Sequence, residues 1–425
     1  MDNRIKTGIE NNRKSDCYIT IKDKSGNPVS GAKIRAIQKN HEFKFGANLF
    51  MLDEMESDEK NKLYKEKFAE LFNIATIPIY WKDFEPEKGK PRFAKDSIKN
   101  YRRPPLDLCL EYCRENNIEP KAHCLNYIPF TPAWVENTVE SQKRELEIRF
   151  KALAEGYADL IPGWEVTNEL LGVVSLNKDV ALFASDDILE WSFNLARKYF
   201  PKNKLIINED MPRTFGSYIF NRSPYFMQIQ RALALGAEID SIGMQYHMFN
   251  SRAAEPSESA KFYNPKLLYD VMDLYGRFKL PLQITEITIP DYTGLPEDED
   301  IQAEIIKNLY SIWFSHEAME AIIYWNLIDG YAAWAPIGDM TQGENIFRGG
   351  LLRFDGSEKP SYKILKKLFN EEWHTEADLA TNSYGKTDFR GFNGNYELEI
   401  ITENNVITEN ITLSKKNDNN YTIIV

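Results

Sequence analysis

A chain of 425 residues could hold two or three average domains, or one α/β barrel with a small appendage. Its 43% apolar and 13% aromatic residues supply a sizeable core and exclude a disordered protein. A formal charge of −12 excludes the concentrated Lys and Arg that nucleic acid requires, so a neutral polymer is the better partner.

Residues 1–15 are polar and charged without an apolar signal-like stretch, and no run approaches membrane-spanning length. The expectation is a soluble protein with no membrane association, cytoplasmic as written or secreted if a signal peptide has been removed. Segment 16–40 contains a strand-like run at 17–21, the turn Lys24-Ser25-Gly26-Asn27-Pro28 and a second run at 32–37, which reads as a hairpin.

From residue 42 onward, short β-rich runs alternate with amphipathic stretches, the pattern of a parallel sheet wrapped by helices. The predicted strands are 42–49, 73–81, 120–127, 163–168, 204–208, 241–247, 282–287 and 321–327. Between them, Leu146, Phe150, Leu153 and Tyr157, and later Ile301, Ile305, Leu309 and Trp313, recur at helical spacing and should pack on the outside of a barrel. A last helix is expected at 360–373. The tail from Thr381 returns to alternating β patterns around Phe389 to Tyr396, Leu398, Ile400, Ile411 to Leu413 and Tyr421 to Val425. Neither terminal piece can form a comfortable core alone. The fold class is therefore α/β: a (β/α)8 TIM barrel over 41–374, with a small accessory β-sandwich built from 16–40 and 376–425.

Cys17, Cys109, Cys113 and Cys124 form no C-x-x-C pair and are expected to be free and buried. The five histidines show no H-E-x-x-H or comparable spacing, so neither a metal nor another cofactor is expected. In an eight-fold barrel the chemistry sits at the C-terminal strand ends. Trp164-Glu165-Val166-Thr167-Asn168-Glu169 ends the fourth predicted strand and Ile284-Thr285-Glu286-Ile287-Thr288 the seventh. Retaining glycosidases need two carboxyl groups about 5–5.5 Å apart, one to protonate the leaving oxygen and one to attack the anomeric carbon. Strand ends four and seven can converge on such a gap.

With Ala122-His123 in strand three and Ile242-Gly243-Met244-Gln245-Tyr246-His247 ending strand six, the chain resembles glycoside hydrolase family 10, a β-xylanase family. Leu205 to Asp210, Ile323 to Gly330 followed by Trp334, Leu351 to Asp355 and Lys359 to Tyr362 extend the match in order across the whole barrel. The resemblance implies Glu169 as general acid/base and Glu286 as nucleophile. It further implies that Asn168 bonds the sugar 2-hydroxyl, that His247 orients Glu286 and that Gln245 lines the site near the acid/base. Trp325 and Trp334 would stack on sugar rings, whose C–H faces suit an indole. His123 and Tyr127 would contact the sugar next to the scissile bond, Tyr127 standing where relatives have tryptophan.

Strand two departs from the family. Thr76 and Ile77 replace a Glu-Asn pair and Tyr80 replaces a Lys before Trp81, which rebuilds the subsite for the next sugar unless Asn345 or Arg348 supplies new contacts. Long segments at 171–181, 211–224, 249–264 and 335–348 should reshape access. The expected activity is retaining hydrolysis of β-1,4-xylan or xylo-oligosaccharides, the partner being a β-linked oligo- or polysaccharide. The alternatives are another or an aryl β-glycoside cleaved by the same mechanism, and a carbohydrate-binding barrel without turnover.

Overall fold

The computed structural model describes residues 2–172, 179–403 and 405–425. The chain divides into two compact units, one of the chain up to Lys44 with Ser311–Glu317 and Lys363–Val425, the other of Phe45–Tyr310 with Ala318–Tyr362. The first unit opens with a helix, Asp2–Arg13, that no apolar stripe announced: none of its residues is buried. It is fastened by polar groups instead, Asn12 Nδ2 donating to the Ser315 carbonyl at 2.9 Å and the Arg13 guanidinium lying 4.5 Å over the Phe43 ring. Strands β1 (Lys14–Lys22) and β2 (Lys33–His41) follow.

The barrel strands are β3 (Lys44–Asn48), β4 (Ile74–Pro78), β5 (Glu119–His123), β6 (Gly163–Asn168), β7 (Lys204–Glu209), β8 (Ser241–His247), β9 (Leu282–Thr288) and β10 (Met319–Tyr324). They close in chain order into a parallel barrel of the TIM type. Each of the eight predicted runs overlaps one of them, with ends that differ by up to four residues. Every residue of β6 and of β9 is buried, because helices cover one face of the sheet and the barrel interior fills the other. The helix Val139–Tyr157 buries Leu146, Phe150 and Leu153 as its spacing predicts, and Thr138 caps it by accepting from the Ser141 N–H at 3.2 Å.

Of the stripe expected from Ile301, Leu309 and Trp313 are buried as predicted, whereas Ile301 is 57% exposed and its neighbours Gln302 and Ala303, with Ile306, are buried. Gln302 is a polar residue in a core position, where its amide donates to the Ile289 carbonyl at 2.8 Å and accepts from Ser361 Oγ at 3.0 Å. The final helix runs over Pro360–Lys367 and widens into a π turn at Leu368–Glu372.

The tail supplies β11 (Glu376–Ala380), β12 (Lys386–Phe392), β13 (Gly394–Ile401), β14 (Val406–Leu413) and β15 (Asn420–Ile424). The expected N-terminal hairpin does not form. Strand β1 lies between β12 and β15, whereas β2 lies between β11 and β13, with β14 beyond. The turn pairs its two sides locally, Asp23 N–H donating to the Asn27 carbonyl at 2.8 Å and Val29 N–H to the Ile21 carbonyl at 3.0 Å around a Lys22–Pro28 bridge. Beyond it the N–H groups of Gly31 and Ala32 are taken by Thr381. The two sheets share one core in which Cys17, Ile19 and Ile21 of β1 meet Ile34 and Ala36 of β2 and Leu398, Ile400 and Leu413 of the tail. All four cysteines are free and buried.

Candidate active site

The C-terminal strand ends and the loops beyond them enclose a cavity of about 640 Å³. Each of the nine residues singled out from the sequence lines it: Glu169, Glu286, Asn168, Gln245, His247, His123, Tyr127, Trp325 and Trp334. Met211 and Pro212, then Phe249, Asn250, Glu258 and Lys261, then Glu344 bring three of the long segments to the same cavity. Of the fourth, 171–181, residues 173–178 lie outside the described residues.

Glu169 is the first residue beyond β6 and adopts φ +53°, which turns its side chain out of the strand's alternation. Gln245 Nε2, on β8, donates to Glu169 Oε1 at 2.8 Å and to Glu286 Oε1 at 3.0 Å. One nitrogen shared at those distances keeps the two carboxylate oxygens within about 6 Å, the range of a retaining pair and short of the roughly 6.5–9.5 Å of an inverting one. The Tyr127 hydroxyl, which a tryptophan would lack, donates to Glu169 Oε2 at 2.5 Å.

Glu286 is surrounded by donors. Asn208 Nδ2 reaches its Oε1 at 3.1 Å and His247 Nε2 reaches its Oε2 at 3.1 Å. Burial pushes His247 down to about 4, so the ring is neutral and Nδ1 accepts from Thr288 Oγ1 at 2.9 Å. Asn208 is itself fixed: its Oδ1 accepts from Thr285 Oγ1 at 2.6 Å and its Nδ2 also donates to Asn168 Oδ1 at 2.8 Å. Gly243 makes room for this, because a Cβ there would stand 2.6 Å from Asn208 Oδ1. With Asn168 Oδ1 engaged, its NH2 is the group left for the cavity. Burial raises the Glu286 carboxyl to about 8, opposed by His123 and reinforced by Glu165 and Glu169. The N–H donors on both oxygens favour the ionised form.

Beneath Glu286 runs a buried charge chain. Glu165, on β6, accepts from Lys121 Nζ with one oxygen and meets His123 Nδ1 with the other, both from β5. Burial disfavours its charge, yet Lys121 and then His123 hold Glu165 at about 2. Burial works against a charged His123 as well, but Glu165 carries it above the usual histidine range. Ligand atoms of His123, Glu165 and Glu286 lie within 4.8 Å of one another, a spacing a metal could use. Glu165 and His123 already satisfy each other, and Lys121 supplies the cation.

A model of glycosyl hydrolase family 10 matches residues 35–366. The chain belongs to glycosyl hydrolase family 10. Among family 10 relatives and similar proteins are the anti-sigma-I factor RsgI6 of Acetivibrio thermocellus, 23% identical over 91% of this chain and 45% of the relative, and endo-1,4-beta-xylanase 1 of Arabidopsis thaliana, 23% identical over 94% and 38%. The chain spans less than half the length of both. The fold is that of xylanase 10B from Thermotoga petrophila RKU-1 in complex with xylobiose: TM-score 0.60, 21% identity, 78% of this chain and 95% of that one. Native xylanase 10B from Thermotoga maritima gives TM-score 0.59 at 22% identity, covering 78% and 96%. Among the described residues no helix is long and apolar enough to cross a membrane.

This family 10 chain builds one end of its cavity unlike a polar sugar grip. Thr76 and Ile77 are fully buried and do not line the cavity. Tyr80 packs with Phe50 and Trp325, flanked by Tyr127 and Phe130, and the Arg103 guanidinium lies 4.0 Å over its ring. Trp325 is thus buried rather than partly open, while Trp334 is 80% exposed. Asn345 and Arg348 do not supply the replacement: the Asn345 NH2 donates to the Pro336 and Asp339 carbonyls, and neither residue lines the cavity. Besides Lys261, the cations that line it are Arg102, bonded to Asn326 Oδ1 at 3.0 Å, and Arg103, bonded to Asp83 at 2.6 Å; these two stand at the Tyr80 end. They arise in a stretch without periodicity and carried no sequence signal. Asn208 did carry one, since it ends strand five in register with Asn168.

Proposed function

We propose that this chain is a retaining β-glycoside hydrolase of the xylanase type, acting on β-1,4-xylan or xylo-oligosaccharides by double displacement. The observation that carries the reading is the single Gln245 amide nitrogen bonded to both Glu169 and Glu286. Glu169 protonates the glycosidic oxygen as Glu286 attacks the anomeric carbon, forming a covalent glycosyl-enzyme and releasing the aglycone. Glu169, now a carboxylate, takes a proton from water, which displaces Glu286 and restores the starting state. Asn168 binds the 2-hydroxyl, His247 and Asn208 hold Glu286 in place, and His123 and Tyr127 meet the sugar next to the scissile bond. Trp325 and Trp334 bound the sugar site from the eighth strand. Membership in family 10 and fold similarity to a xylanase crystallised with xylobiose support the substrate class.

The aromatic wall at Tyr80 favours a second reading of the substrate within the same mechanism: a short or aryl β-glycoside that needs no grip beyond the first sugar. Glu286→Ala separates both from a carbohydrate-binding barrel without turnover. Its kcat should fall by about 10⁴-fold or more, and azide should restore part of the rate with formation of the α-glycosyl azide. Wild-type turnover in that variant without azide would refute the mechanism.

A further inference from the structure

Tyr127 stands where the aromatic wall meets the acid/base. Its segment, just beyond β5, is paired with the end of β6: Asn126 bridges to Thr167, Asn126 N–H donates to the Val166 carbonyl at 3.0 Å and Asn168 N–H to the Asn126 carbonyl at 3.3 Å. Tyr127 follows Asn126 directly and Glu169 follows Asn168, so backbone pairing sets the distance between their side chains. The ring is fixed as well. Ile128–Phe130 forms a 3₁₀ turn in which Phe130 N–H donates to the Tyr127 carbonyl at 2.9 Å. That turn stacks the Phe130 ring on Tyr127, with centroids 5.2 Å apart and planes 28° from parallel. A ring held in this way keeps its hydroxyl on Glu169 Oε2, 2.5 Å away.

A phenol has one proton to donate. Burial, and then the Glu169 charge, push Tyr127 far above the usual tyrosine range, so the phenol keeps that proton. Spent on Oε2, it leaves Oε1 as the oxygen on which the Glu169 carboxyl carries its own. Oε1 is also the oxygen that shares the Gln245 nitrogen with Glu286 Oε1, so it is turned toward the nucleophile. The bond to be cleaved lies between the two carboxyl groups. A hydroxyl oxygen at Oε1 can accept from Gln245 while its proton points at the glycosidic oxygen.

We propose that Tyr127 is a positioning residue for the acid/base, its hydroxyl occupying Oε2 of Glu169 so that the proton is delivered from Oε1. The proposal rests on the retaining mechanism above. In the first step the proton passes from Oε1 to the glycosidic oxygen, whose bond to the anomeric carbon breaks as Glu286 bonds that carbon. In the second, water gives its oxygen to the anomeric carbon and a proton to Oε1, and the Glu286 ester bond breaks. Tyr127 keeps its proton throughout. As Glu169 gains charge the Tyr127 bond becomes charge-assisted, so its contribution appears in kcat.

Tyr127→Phe tests this, because it keeps the ring and its stacking and removes the hydroxyl alone. On xylotriose kcat/KM should fall by about 10- to 100-fold, with KM changed by less than about threefold. On 2,4-dinitrophenyl β-xyloside, whose phenol leaves without protonation, the loss should stay within about threefold. In a Glu169→Ala background, on 4-nitrophenyl β-xyloside, the same substitution should add less than about twofold, because residues acting as one unit are not additive. No loss on xylotriose, equal losses on the two leaving groups, or a full further loss in Glu169→Ala overturns the assignment and leaves the retaining mechanism standing. A Glu169→Ala variant that itself loses equally on both leaving groups, or a folded wild type that cleaves none of the three substrates, overturns the mechanism and this proposal together.

Discussion

Two parts of one cavity are built on different principles. At strands four to seven, Asn168, Asn208, Gln245, Glu286 and His247 hold one another through side-chain hydrogen bonds, and each sits in a strand whose neighbours fix its register. At strand two, Tyr80, Phe50 and Phe130 pack by ring contacts, and the arginines beside them come from a loop. Directional polar networks tolerate little change, because removing one member leaves its partners unpaired. Apolar walls can be rebuilt by any rings of suitable volume. On the proposed function, the barrel confines its chemistry to the first kind of construction and leaves substrate range to the second.

That contrast can be broken from either side. After the loss expected for Glu286→Ala, the largest effect is expected at Glu169: the Ala variant should lose about 10²- to 10⁴-fold in kcat/KM on a xylo-oligosaccharide and far less on an aryl glycoside whose phenol leaves without protonation. Equal losses on both substrates would remove Glu169 from the acid/base role. Lys121→Met tests the floor beneath the network. It leaves the buried Glu165 with His123 as its remaining charged partner and one oxygen without its donor, and urea denaturation should show about 3 kcal/mol less stability at neutral pH.

The pH dependence carries a definite sign. Glu165 titrates lower in the folded chain than the ordinary carboxylate value of 4.5, so its contribution is full above that value and is lost as pH falls toward about 2. Lys121→Met should therefore begin acid unfolding at higher pH than wild type. An identical acid transition would mean that Lys121 does not hold that charge. The smallest effect belongs to the aromatic wall. One charge-assisted hydrogen bond is worth about 1.5–3 kcal/mol, so a subsite without such bonds should raise kcat/KM by less than about tenfold from two to three sugars. A steep rise, located on the non-reducing side by end-labelling, would show that Arg102 and Arg103 grip sugar despite their protein partners.

The same division governs what could be read from the sequence. Barrel strands are buried on both faces and leave continuous apolar runs, so all eight were visible, and the polar side chains at their ends that line the cavity came with them. Residues held by polar contacts alone were not visible. The helix Asp2–Arg13 has no buried side, and Gln302 occupies a core position that an apolar stripe assigns to a neighbour. The separation of β1 from β2 hinged on partners more than 340 residues away, such as the Thr381 hydroxyl, which donates to the Val29 carbonyl and accepts from the Ala32 N–H. Arg102, Arg103 and Glu344 come from irregular segments in which spacing carries no information. For those, only the folded backbone shows which side chains reach the cavity.

The amide of Gln245 has one more consequence. In the proposed cycle Glu169 loses and regains a proton while Glu286 passes from free carboxylate to ester and back, so the charge of each partner changes at every step. A lysine or histidine between them would answer those changes by gaining or losing a proton of its own. A primary amide cannot titrate in this range, and its two N–H groups keep the same geometry whichever carboxyl group is charged. It acts as a fixed gauge, holding the gap between acid and nucleophile constant while the electrostatics on either side of it reverse.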